Sequence, residues 1–196
     1  MEIEKISENL KVARSDIFTQ KEEYAIVLEY LPNGYPLEKK MMPIIQALGE
    51  KNLTLLELVP RRGVSLEIGE KIYIGGGKRD KISYILGRLN WEKLTESAKT
   101  HLQEFIEKFV KEQEQRFTDF FNKAQAINKR IHQIELLPGF GKKHMKEIIE
   151  KRKEKEFSSF DEMKKRLQNL PDPKKAIEKR IFQELMGSER YNLFVQ

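Results

Sequence analysis

The residues best suited to chemistry lie in one segment, Leu137-Pro138-Gly139-Phe140-Gly141-Lys142-Lys143-His144-Met145-Lys146. Proline has no N–H and fixes its own φ, so Pro138 should end the helix expected to carry Ile131, Ile134 and Leu137. Gly139 and Gly141 permit positive φ and close backbone approach, while Phe140 between them can anchor the turn in a core. A new helix then opens. Its first N–H groups lack helical acceptors and point outward at the positive end of the helix dipole, which makes an anion site from backbone alone. Lys142, Lys143 and Lys146 surround that site with positive charge. His144 can face the same anion, although a surface histidine accounts for it equally well. The chemistry is the gripping of a phosphate; a turn that merely joins two packed helices is the competing reading.

The segment resembles the helix-hairpin-helix family, and the resemblance implies a hold on DNA or RNA backbones without reading of base sequence. The likeness continues downstream through Ile148, Ile149 and Arg152 to Phe157-Ser158-Ser159-Phe160-Asp161-Glu162-Met163. That stretch is similar to the connector of tandem modules in competence-type DNA receptors. Ser159 there is suited to cap a helix holding Met163 and Leu167. Leu170-Pro171-Asp172-Pro173-Lys174-Lys175-Ala176-Ile177 sits where a second hairpin would fall, but it is degenerate. Asp172 and Pro173 replace the glycines, adding a negative charge and removing an N–H, so this copy reads as structural. Met145 also departs from the small residue usual at its place in the family.

Other candidate groups are weaker. Gly75-Gly76-Gly77-Lys78-Arg79-Asp80 lacks the serine or threonine and the spacing of a Walker loop. It reads as a turn, or as a basic loop touching the same nucleic acid with Lys71, Tyr73, Lys78, Arg79 and Lys81. Arg61-Arg62 beside Gly63 has the same two readings. The histidines His101, His132 and His144 have no ligand spacing with carboxylates, so no metal site is expected. Glu147, Glu150, Glu154 and Glu156 alternate with lysines as in solvated ion pairs. The chain has no cysteine, which excludes disulfides, thiolate zinc sites and cysteine nucleophiles.

These residues need elements to hold them. Strand-forming runs occur at residues 24–31, 53–59, 64–68, 71–74 and 81–86, separated by Pro32-Asn33-Gly34, Pro60-Arg61-Arg62-Gly63, Gly69-Glu70 and the triglycine. Short strands divided by glycine and proline turns suggest a small antiparallel OB-like β-barrel. The insert from Leu37 to Gly49 is expected to carry one or two helical turns. From Asn90, a candidate N-cap, the hydrophobic period becomes helical through Leu94, Leu102, Phe105, Ile106, Phe109 and Val110 and on to Ile134, with a break expected near Gln113 to Arg116. The three- and four-residue spacing of the phenylalanines assigns them to a buried helix face. The expected class is α+β. Residues 1–90 form an OB-like β domain with an N-terminal arm, residues 91–121 a connecting amphipathic helix, and residues 122–196 an all-α helix-hairpin-helix domain.

Charge points the same way. The net charge is +6, and residues 122–196 hold 18 Lys and Arg against 11 Asp and Glu, so the positive excess lies in the C-terminal part. Such a field suits a polyanion or an acidic partner. The order of elements, with Gly69-Glu70-Lys71-Ile72-Tyr73-Ile74-Gly75 and the hairpin, resembles an uncharacterised archaeal family of predicted RNA-binding proteins. The expectation is a nucleic-acid-binding protein, RNA favoured over DNA, that is not an enzyme and uses no cofactor. A scaffold docking on an acidic protein and a nucleic-acid-processing enzyme remain the alternatives. No apolar run reaches the length of a membrane span and the N-terminus lacks the layout of a secretion signal, so a cytoplasmic protein with no membrane contact is expected.

Overall fold

The computed structural model describes residues 21–36 and 41–196; the expected N-terminal arm lies outside them. The class is α+β. Five antiparallel strands come first: β1 (Tyr24–Leu31), β2 (Ile44–Gly49), β3 (Leu55–Pro60), β4 (Lys71–Tyr73) and β5 (Ile82–Arg88). Their spatial order is β4-β1-β2-β3-β5, so the edges β4 and β5 do not pair and the sheet curls into a half-barrel. The curl has a physical cause in the inner face. Val27, Ile45, Leu58, Ile72 and Ile82, drawn from all five strands, meet in one apolar cluster, which requires the two edges to bend toward each other.

Two expectations for this half are corrected. The described part of the 37–49 insert is the central strand β2, not helical turns, and all six of its residues are buried. A strand covered on both faces loses the alternation that identifies it, which is why the run Ile44-Ile45-Gln46-Ala47-Leu48 looked ambiguous. Residues 64–68 are not a strand but a turn region, held where the Gly69 amide donates to the Val27 carbonyl at 2.8 Å.

The helical half follows as α1 (Glu96–Glu112), α2 (Glu114–Lys123), α3 (Lys142–Glu154), α4 (Phe160–Arg166) and α5 (Pro173–Leu185). Asn90 precedes only a 3-10 turn and makes no side-chain cap; Thr95 caps α1, its Oγ1 accepting from the Ala98 amide at 3.0 Å. The break between α1 and α2 falls at Gln113, inside the expected interval. Ala98, Leu102, Ile106, Phe109 and Val110 form the buried stripe of α1.

This stripe joins Leu28, Leu48 and Leu55 of the sheet to Phe117, Phe121, Ile148 and Ile177 in one continuous core. Buried Gln46 ties the two halves together: its Nε2 donates to the Lys93 carbonyl at 2.8 Å and its Oε1 accepts from the Thr95 amide at 3.1 Å. Satisfying both ends of the amide removes the cost of burying it within the sheet. No helix among the described residues is long and apolar enough to cross a membrane.

Candidate nucleic-acid interface

The segment before the hairpin differs from expectation. The helical period does not persist through Ile134: α2 ends at Lys123, and only a 3-10 turn, Gln133–Leu136, precedes Pro138. Between them the chain reverses at Asn128, whose Oδ1 accepts from the amides of Arg130 at 2.8 Å and Ile131 at 3.0 Å. A side chain that bonds to amides two and three residues on competes with the helix. His132 then caps the 3-10 turn, with Nδ1 accepting from the Ile134 amide at 3.2 Å.

The turn itself is built as its residues dictate. Gly139 adopts φ +86°, a conformation costly for residues with a Cβ. Phe140 is buried and its ring lies 5.6 Å from that of Phe121, fixing the turn to the core. Gly141 does not use positive φ: at φ −99° and ψ −177° it is extended, as an N-cap residue must be. Of the two glycines expected to permit positive φ, only Gly139 uses it. Gly141 opens α3 with no side chain to cap the first amides, and a Cβ added there would meet nothing within 4 Å. The amides that follow in this thirteen-residue helix therefore receive no acceptor from an N-cap side chain, and Gly141, Lys142 and Lys143 around them are exposed.

Lys142, Lys143 and Lys146 are exposed and form no ion pair among the described residues. His144 is half-buried, its ring 5.9 Å from Phe140 and its Nδ1 accepting from the Gly141 amide at 3.4 Å. By contrast the guanidinium of Arg152 is committed inward, donating to the Phe121 carbonyl at 2.8 Å.

The second turn is chemically different. Ser159 caps α4 through the Glu162 amide at 3.1 Å. Asp172 caps α5, its Oδ1 accepting from the Lys175 amide at 3.2 Å, while Lys164 Nζ lies 3.0 Å from its other oxygen. Burial pushes the Asp172 carboxyl up, but the bonds from Lys164 and from the Lys175 and Lys174 amides hold it below its ordinary value. The helix start that could bind an anion already holds one. Lys174 is paired with Glu178 at 3.5 Å. Pro171 packs on the first turn, within 3.6 Å of the place a Cβ on Gly139 would occupy.

The other candidate residues belong to the sheet: Tyr73 ends β4, and Lys78, Arg79 and Lys81 lie in the connection from β4 to β5. The Tyr73 hydroxyl accepts from the Gly77 amide at 3.1 Å, and Arg79 Nε donates to the Gly75 carbonyl at 2.8 Å. Arg61 Nε donates to the Arg79 carbonyl at 2.8 Å, and Lys81 is paired with Glu70. Lys78 is exposed, whereas Tyr73, Arg79 and Lys81 are occupied in shaping this loop. Among the described residues no three His, Cys, Asp or Glu side chains are grouped so as to hold a metal.

The family model described as a protein of unknown function, DUF655, matches residues 21–196. The chain belongs to the DUF655 family. It is similar to an uncharacterised protein of Methanocaldococcus jannaschii, MJ0038, at 45% identity over 177 residues, covering 89% of this chain and 80% of that one. The crystal structure of Af1531 from Archaeoglobus fulgidus, also assigned to DUF655, superposes with a TM-score of 0.77 at 42% identity. That match covers 89% of this chain and all of the Archaeoglobus chain.

In this DUF655 protein, sequence reasoning missed Lys129, Arg130 and His132, which line an open groove together with Lys142. The signal was present in Asn128-Lys129-Arg130, a polar turn sequence, but the apolar residues on either side of it fit a helical period and hid it.

Proposed function

We propose that this protein binds the phosphate backbone of nucleic acid at the N-terminus of α3, with little dependence on base sequence. The observation that carries the reading is the contrast between two helix starts. At α3 the cap is a glycine, with no side chain to supply an acceptor to the first amides, and the flanking lysines form no ion pair among the described residues. At α5 an aspartate occupies the donors and Lys174 is neutralised. Backbone amides, the helix dipole and exposed cations together suit an oxyanion better than a neutral ligand.

In this reading the 3-10 turn, the Pro138–Gly141 loop and α3 form a reduced helix-hairpin-helix. The half-barrel is an OB-like platform, and binding rather than catalysis is the role. RNA is the preferred ligand over DNA, on the likeness to predicted RNA-binding proteins and on the partly open barrel.

The test compares Lys142→Ala with Lys143→Ala against Lys174→Ala with Lys175→Ala, on one RNA and one DNA at a single salt concentration. The first pair should weaken binding about tenfold or more and flatten its salt dependence, since each lost phosphate contact retains its counterions. The second pair should matter less. A larger loss from the Lys174/Lys175 pair, or none from the first on either ligand, would sink the assignment.

A further inference from the structure

Beside the hairpin lies an open groove of about 400 Å³ that the grip on one phosphate leaves unused. Its walls are the Asn128 turn and the first turn of α3, so Lys129, Arg130 and Lys142 form its rim while Ile131 and Met145 give it an apolar side. The three cations make no ion pair among the described residues. Glu135 also lines the groove, but its Oε2 accepts from the His132 amide at 3.0 Å.

His132 supplies the observation that points to a ligand. The residue is 7% exposed, and its Nδ1 already accepts a backbone amide. The proton of the neutral ring must therefore sit on Nε2, which has no hydrogen-bond partner among the described residues. That donor is reachable from the groove His132 lines, so it is free to serve a ligand seated there.

We infer that this groove seats one nucleotide of the strand held at the α3 N-terminus. Its phosphate lies among Lys129, Arg130 and Lys142, its sugar or base lies against Ile131 and Met145, and the His132 Nε2–H donates to it. This rests on the proposed phosphate grip and adds a second contact point to it. The groove falls within the range of about 300–1,000 Å³ typical of small-molecule sites, large enough for more than an ion. Burial, with Arg152 nearby, lowers the His132 pKa, so the ring remains neutral at pH 7.5.

The test uses the full chain and a fluorescein-labelled single-stranded oligouridylate of twelve nucleotides, followed by anisotropy across a salt series at pH 7.5. Arg130→Ala should weaken binding about fivefold and reduce the log–log salt slope by about 0.7, the value for one single-strand phosphate. His132→Asn keeps an acceptor for the Ile134 amide but lacks the Nε2–H. It should weaken binding about fivefold with an unchanged slope, because a neutral donor releases no counterion. Lys143→Ala reports on the hairpin alone.

If Lys143→Ala weakens binding while folded Arg130→Ala and His132→Asn bind like the wild type, the groove inference is overturned and the hairpin stands. Losses at Arg130 and His132 with none at Lys143 keep the groove and overturn the hairpin. A wild-type chain that does not bind at low salt overturns both. Arg130 is exposed on a loop, so its variant still decides the matter should His132→Asn unfold.

Discussion

Replacing Gly141 by aspartate should stabilise the protein and weaken its hold on nucleic acid at the same time. The backbone at φ −99°, ψ −177° is already that of an N-cap residue, and the side chain has open space to enter. A carboxylate there would accept from the amides that the proposal assigns to phosphate. Aspartate improves on glycine at an N-cap by only a few tenths of a kcal/mol. The favourable dipole adds about 0.3–1 kcal/mol. The sum, roughly 1 kcal/mol, should raise the melting midpoint by about 2–4 °C in a chain of this size. Binding loses one or more charge-assisted bonds worth about 1.5–3 kcal/mol each. That corresponds to roughly a 10- to 100-fold weaker Kd. Circular dichroism melts and anisotropy on one labelled RNA at fixed salt read both quantities. Gly141→Asn, a neutral cap, separates occupation of the amides from repulsion of the ligand and should lie between wild type and aspartate. A variant with a raised midpoint and undiminished affinity would refute the claim that these amides meet phosphate.

The other predictions concern stability. Gly139→Ala places a Cβ at φ +86° and should cost about 1–2 kcal/mol, whereas Gly141→Ala should stay within about 0.5 kcal/mol; equal losses in chemical denaturation would contradict the backbone argument. Arg180, nearly buried, donates to Glu184 at 2.8 Å and to the Leu136 carbonyl at 3.1 Å, joining α5 to the residue before the hairpin. Arg180→Ala should cost about 3–5 kcal/mol by leaving the buried Glu184 without its cation, and an unchanged urea midpoint would refute it. His132 has a folded-state pKa pushed below the ordinary imidazole value of 6.5, first by burial and then by Arg152, with Glu135 opposing. The unfolded chain therefore binds the proton more readily, so His132 favours the fold above about pH 6.5 and that contribution falls away on acidification toward the folded value. Melting between pH 7.5 and pH 5.5 should fall less in His132→Asn than in wild type; an identical fall would exclude His132 as a contributor.

Local chemistry was legible in the sequence wherever adjacent residues decide the backbone. Pro138-Gly139 marks the turn, Ser159 its helix cap, and the spacing from Leu102 to Val110 the buried stripe of α1, because each depends on steric or hydrogen-bonding preferences acting within a few residues. The order of strands before helices was legible for the same reason. Tertiary structure decided the rest. Ile44–Gly49 is a strand because the inner cluster and the helices cover its two faces, and two-sided burial erases the alternation a sequence can display. Gly139 and Gly141 are the same residue type two positions apart, yet only the first occupies left-handed backbone; the second matters for the cap it does not provide. Arg130 approaches Lys142, twelve residues on, only because Asn128 reverses the chain and Phe140 pins the turn against Phe121. Sequence therefore specifies where the backbone can turn and where helices can begin, but convergence of charges and burial of His132 arise from packing between segments that no local pattern connects.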